Sequence, residues 1–354
     1  MIDEFSKYCV SKDVTILSAI KKMDEIGKKL LIVVEKDKFY SLLSIGDIQR
    51  AIIKYNQFDI KINSILRPDS KIKVAYKQDS FESIKKIMIR FRTEFMPVLN
   101  ENKNITNIYF WNEIFSEELN VNRQDVNIPV VIMAGGKGTR LKPITNVLPK
   151  PLIPLGNQTI IEEIIDKFIE IGCDNYIISV NYMAENIKQY FDNIKDIKYK
   201  VSFIKEEKPL GTAGSLHLLK GKIDTAFFVS NCDIIIEEDY REIYKYHVEN
   251  KNELTVVAAL KHMSIPYGTI ETNENGILSS LTEKPDLVFK VNSGMYILEP
   301  HLLNQIPNDE FFHITHLIEK INKRNGRVGV FPVSEKSWID IGTWNEYLKN
   351  INIQ

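Results

Sequence analysis

Cysteine is scarce in this chain of 354 residues: Cys9, Cys173 and Cys232 stand far apart and show no metal-ligand spacing. That excludes a disulfide framework and a zinc site, and it fits a reducing cytoplasm. Charge of one sign is lacking as well, since 46 Lys and Arg meet 47 Asp and Glu for a net charge of −1. No global field draws the chain to nucleic acid or to a membrane surface, so neither is expected as a partner. No apolar run approaches the roughly 18 residues of a bilayer span. The opening MIDEFSKYCV has neither a basic nor an apolar leader region, so no secretory signal is expected. What remains is an ordinary globular composition, 44% hydrophobic and 26% charged, expected in the cytoplasm. Its length implies two or more domains.

The first 120 residues repeat themselves. KDVTILSAIKKM falls on KQDSFESIKKIM, with Thr15 over Ser80 and Met23 over Met88. LLIVVE falls on FMPVLN, and SLLSIGDIQRAI on TNIYFWNEIFSE. Each copy reads as a hydroxyl N-cap, an amphipathic helix, an apolar strand, a polar turn, a second strand and a second helix. Two such copies, about 1–58 and 59–120, imply a pseudo-two-fold module with a cleft between the halves. This pattern resembles a tandem pair of CBS domains, small α/β modules that often bind adenosine nucleotides. The resemblance implies a hydroxyl for phosphate and a carboxylate for ribose. Ser44 and Asp47 match in the first copy, whereas Tyr109 and Asn112 depart from the pattern in the second. Ser44 and Asp47 read equally as the cap of a helix beginning near Ile48. A homo-oligomer is expected, the module serving as ligand sensor or dimerisation platform. A polar stretch ending in Pro129 marks a linker over 121–129.

From 130 to 354 apolar runs alternate with amphipathic ones. VVIMA, NYIISV, KVSFIK and AFFVSN read as strands, and TIIEEIIDKFIEIG, AENIKQYFDNI and TAGSLHLLKG as helices. Later runs such as LTVVAAL, YGTIET, GILSSLTEK and SGMYIL imply a mixed or partly antiparallel extension. The expected fold is α/β, a Rossmann-like doubly wound mixed sheet, with ligands at the carboxyl ends of its strands.

The segment VVIMAGGKGTRLKPITNVLPKPLIPL follows the first of these strands. It fits neither the Walker loop nor the dinucleotide fingerprint. Gly135, Gly136 and Gly138 nevertheless permit close backbone approach and positive φ, while Arg140 and Lys150 add cationic donors and four prolines stiffen the segment. GGKGTRLKPITNVLPKP resembles the signature of nucleoside-diphosphate-sugar pyrophosphorylases, the sugar-1-phosphate nucleotidyltransferases. PLGTAGSL, SNCDI, PYGTIE, EKP, NSGMYIL and WIDIGTW continue the resemblance in family order, with Cys232 standing where Gly is usual.

That resemblance implies a GT-A-like domain in which Ala134, Gly135, Gly136, Gly138, Thr139, Gly211 and Thr212 border a nucleoside triphosphate. It implies Arg140 and Lys150 as catalytic cations, Asp233 and Asp340 as ligands of Mg2+ or Mn2+, and Tyr267, Gly268, Glu283, Lys284 and Asn292 around a sugar 1-phosphate. The expected products are an NDP-sugar and pyrophosphate. With a CBS pair in front, the chain resembles the guanylyltransferases that make GDP-glucosamine for bacterial legionaminic acid synthesis. Mannose-1-phosphate guanylyltransferases and glucose-1-phosphate enzymes using UTP, dTTP or CTP are the alternatives. A non-catalytic nucleotide-sensing protein is the alternative from another class. His313 and His316 read as packing or surface residues, and Cys232 as a small buried filler rather than a nucleophile.

Overall fold

The computed structural model of the chain describes residues 5–91, 93–114, 125–194 and 198–351, save the side chains of residues 69, 89, 90, 112, 113, 350 and 351. Two compact units cover Met1–Asn122 and Arg123–Gln354. Residues 115–124 lie outside the described residues, so the expected linker is seen only from residue 125. No described helix is long and apolar enough to cross a membrane.

In the first unit both copies build the same small sheet. Strand Cys9–Ser11 pairs parallel with Leu30–Glu35, which pairs antiparallel with Lys38–Ser44. In the second copy Ala75–Tyr76, Phe95–Leu99 and Ile105–Phe110 repeat that order and those directions. Thr15 caps helix Ile16–Ile26 by accepting from the Ser18 N–H, and Ile16, Ala19, Ile20 and Met23 form its buried face. Leu30, Ile32 and Phe39 pack with Phe95, Leu99 and Ile108 of the other copy. Apolar burial on that scale is what holds two half-modules together, at about 1.5–3 kcal/mol per fully buried side chain.

The second helix of the first copy begins at Ile45, three residues before its expected start, because Ser44 and Asp47 form a reciprocal capping box. Asp47 is 5% exposed and is paired with Arg50 and Arg67. Burial would raise its carboxyl, but Arg67 and Ser44 outweigh that and hold it below the ordinary carboxylate range. Both groups expected to face a nucleotide are thus engaged within the fold. The Asn112 side chain lies outside the described residues.

The second unit is built on seven strands in the order Lys200–Lys205, Asn175–Val180, Val130–Met133, Phe227–Asn231, Asp286–Leu298, Leu254–Ser264, Val328–Ser334. The first four run parallel, Asp286–Leu298 is antiparallel to both neighbours, and Val328–Ser334 lies parallel to Leu254–Ser264. Val130, Val131 and Ile132 are fully buried, as a parallel strand covered on both faces requires. Helix Ile160–Ile169 starts at Thr159, whose hydroxyl accepts from Glu162 N while the Glu162 side chain reaches back, and it buries Ile160, Ile161, Ile164, Ile165 and Phe168.

One expectation changes here. TAGSLHLLKG forms the 3-10 turn Gly214–Leu219, not an α-helix. The preceding loop is tied to the segment before helix Ile314–Lys323 by Phe312 N to Leu210 O (2.8 Å) and Ala213 N to Phe312 O (3.0 Å). A Cβ on Gly214 would lie 2.8 Å from Glu310 O, so the backbone passes too close for a wider coil. The expected mixed, partly antiparallel extension is present, and part of it projects as a hairpin. Leu254–Ser264 and Asp286–Leu298 stay paired out to Ser264 and Asp286, and Thr269–Thr272 with Leu278–Thr282 forms the tip.

Candidate active site

The glycine segment leaves the sheet at Ala134, whose N–H still reaches Ser179 O at 2.8 Å. Of its three glycines only Gly138 has positive φ, at 59°. A Cβ on Gly138 would lie 2.8 Å from Thr145 Cγ2 and 3.2 Å from Lys150 Cβ. One on Gly135 would lie 2.9 Å from Glu206 Oε1, whereas one on Gly136 would meet nothing within 4 Å. Close packing therefore explains Gly135 and Gly138, and an open approach explains Gly136. Short 3-10 turns at Thr139–Leu141, Ile144–Asn146 and Lys150–Leu152 fold the chain back, with Thr145 Oγ1 donating to Gly138 O at 3.0 Å. That fold-back buries Lys150, 7% exposed, and pairs its Nζ with Asp233 Oδ2.

Asp233 and Asp340 are brought together by a two-stranded ribbon, Ile234–Ile236 against Trp338–Asp340, in which Ile234 faces Asp340. Ile341 N donates to Asp233 O at 2.8 Å. Burial and then the charge of Asp233 push the Asp340 carboxyl above its ordinary range, against the pull of Lys150, the Gly342 N–H and Arg140. Gly342 lets these groups meet: a Cβ there would lie 2.6 Å from Asp340 Oδ1 and 3.0 Å from an Arg140 guanidinium nitrogen. Cys232, beside them, is 7% exposed, and burial pushes its thiol up to about 12, so it is an uncharged filler.

Arg140, Asp233 and Asp340 line a cleft of about 400 Å3 together with Thr212 and Asn292. Asn292 Oδ1 accepts from Gly294 N at 3.1 Å. Tyr296 stands in the same wall with its phenol raised to about 12, by burial first and against a hydrogen bond with Asn292. The remaining expected residues stand elsewhere. Ala134, Gly135, Gly136, Gly138 and Thr139 form the adjoining loop, and Gly211 packs 2.8 Å from Phe312 O where its Cβ would be. Tyr267, Gly268, Glu283 and Lys284 lie on the projecting hairpin outside the cleft lining, with Tyr267 75% exposed and Glu283 against Gly268. The cleft also takes in Asn231, Trp338, Thr315 and His313, which sequence reasoning did not assign. Trp338 lies within WIDIGTW and Asn231 within SNCDI, so their motifs carried a signal. His313 carried none.

Residues 129–353, more than half of the chain, match the family model described as Nucleotidyl transferase. The chain is 34% identical over 182 residues to mannose-1-phosphate guanylyltransferase catalytic subunit beta of Drosophila melanogaster, covering 50% of this chain and 49% of that protein. It is 32% identical over 229 residues to mannose-1-phosphate guanyltransferase of Aspergillus oryzae, covering 62% of each. The chain thus spans between about half and under two thirds of these curated relatives. HddC from Yersinia pseudotuberculosis superimposes with a TM-score of 0.50 at 27% identity over 64% of this chain and 98% of that one.

Proposed function

The chain belongs to the nucleotidyl transferase family, and from that premise we propose that it joins a sugar 1-phosphate to GTP with release of pyrophosphate. The observation that carries the reading is the meeting of Asp233, Asp340, Arg140 and Lys150 from three separate segments at one rim of the sheet. Both reactants are anionic, so charge neutralisation and alignment dominate the barrier. A phosphate oxygen of the sugar attacks the α-phosphorus, the bond to the β-phosphate breaks, and its electron pair leaves with pyrophosphate. Arg140 neutralises the departing phosphates and Lys150 the α-phosphate, with Lys150 oriented by Asp233. Lys284, on the hairpin, is assigned to the sugar phosphate.

The carboxylate pair fits a divalent cation. Two hard oxygens lie together, and Asp340, whose carboxyl is raised by burial first and then by the charge of Asp233, stands where a cation would be favoured. Asp233 and Asp340 are the residues that would hold such an ion. When bound, Mg2+ or Mn2+ supplies charge neutralisation to the triphosphate.

For the base, support comes from the guanylyltransferase names of the curated relatives and from Glu206, a buried acceptor beneath Gly135. An acceptor-only carboxylate complements the adjacent N1–H and N2–H donors of guanine. For the sugar, glucosamine 1-phosphate is our first reading, from the resemblance to nonulosonate enzymes. The names of the relatives favour mannose 1-phosphate as the second. The repeated first unit is read as a CBS-like sensor, although Ser44 and Asp47 are occupied as a helix cap.

Pyrophosphate release over a panel of nucleoside triphosphates and sugar 1-phosphates tests the reading. We expect one pair to dominate and Asp233→Asn to lower kcat by about 100-fold or more. No turnover with any pair, or full activity in Asp233→Asn, would sink it.

A further inference from the structure

We infer that His313 determines sugar specificity, donating a hydrogen bond from its Nε2–H to an acceptor oxygen of the sugar in the cleft. The inference rests on the transfer reading above and deepens it. His313 is the N-cap residue of helix Ile314–Lys323, half-buried in the cleft wall. Its Nδ1 lies 3.4 Å from Thr212 N and 3.3 Å from Thr212 Oγ1. A backbone N–H can only donate, so Nδ1 accepts. Thr212 Oγ1 in turn accepts from Ile314 N at 3.0 Å, which leaves its own proton for Nδ1. In the neutral ring the proton therefore resides on Nε2.

The ring is held as well as polarised. Phe311 meets it edge-on with centroids 4.7 Å apart, His316 lies at 5.5 Å, and His316 Nδ1 accepts from His313 N at 3.2 Å. A donor fixed in this way is pre-ordered for a ligand. The cleft chemistry says which ligand. Asn231, Asn292, Ser293 and Thr315 line it beside Arg140, Asp233 and Asp340, a set suited to sugar hydroxyls next to reacting phosphates, and none of Gly135, Gly136 or Gly138 does. On the transfer reading this hydroxyl- and amide-rich wall faces the sugar, next to the phosphates that Arg140 neutralises. An Nε2–H donor pairs with a hydroxyl or carbonyl oxygen at its position, so on the glucosamine reading it meets a hydroxyl of the sugar and not the amino group.

The full chain is assayed with GTP and its best sugar 1-phosphate, and binding of that sugar phosphate is followed by calorimetry, which needs no turnover. In His313→Ala the KM and Kd for the sugar 1-phosphate should rise about tenfold while the KM for GTP stays within about twofold. His313→Gln, whose amide N–H can reach the place of Nε2, should recover most of the loss. Removal of a cap alone would shift thermal melting without splitting the two KM values. An unchanged sugar KM and Kd, an equal rise for both substrates, or a His313→Gln as damaged as His313→Ala overturns the inference. A wild-type chain without turnover would sink the transfer reading, and the calorimetric arm would still decide the role of His313.

Discussion

Glu206 is 5% exposed, and its carboxylate accepts from Ser179 Oγ at 2.9 Å and Leu210 N at 3.2 Å. Neutral donors offset only part of the cost of burying a carboxylate, so a ligand with two adjacent N–H groups would be held strongly. Glu206→Gln keeps the shape and one acceptor but presents a donor where guanine has one. On the guanine reading, kcat/KM for GTP should fall about 10- to 100-fold, with little change for a triphosphate that already turns over poorly. Equal losses across a panel of bases would assign Glu206 to loop support instead. At this scale the sequence was legible where motifs dictate chemistry: Arg140, Asp233 and Asp340 were named, and the structure brings them together. His313 was hidden because its environment comes from Thr212, distant in sequence, and a lone His near a helix start is usually only surface.

Element boundaries followed the apolar runs closely, since buried parallel strands admit few other residues. The departures were the 3-10 turn Gly214–Leu219 and the early start at Ile45, both decided by contacts that periodicity does not encode. One inter-element tie has a measurable consequence. Glu253, just before strand Leu254–Ser264, accepts from Arg327 N at 3.1 Å and His301 Nε2 at 2.8 Å, and pairs with Arg324 at the end of helix Ile314–Lys323. Arg324 first, and against burial His301 and the Arg327 N–H, lower its carboxyl from 4.5 to about 2. A depressed carboxyl stabilises the fold above the unfolded value and loses that contribution as pH falls toward the folded one. Denaturant titration should therefore find Glu253→Gln less stable than wild type at pH 7, with the gap closing between pH 4.5 and about 2. A gap that persists at pH 2 would remove the charge from the explanation. Salt should narrow it, because the cluster is partly exposed.

At the scale of the whole chain, the cleft and its neighbours draw on one unit only. Every residue lining the cleft lies between Arg140 and Asp340, and the second unit, Arg123–Gln354, has its own seven-stranded sheet with two buried clusters on it. A unit of that size buries enough apolar surface to fold alone. A protein cut to residues 123–354 should therefore unfold cooperatively and keep kcat and both KM values within about threefold of the full chain. If the first unit senses an adenosine nucleotide, AMP or ATP should alter the full chain and leave the shortened one unchanged. That difference separates a sensor from a scaffold. A shortened chain that is folded by circular dichroism yet has lost its turnover would show that the first unit completes the catalytic site, and a chain that fails to fold would show that the second core is not self-sufficient. Light scattering on both chains adds the remaining distinction: a first unit that serves as a dimerisation platform predicts a full-length oligomer and a shortened monomer, with no nucleotide required for either.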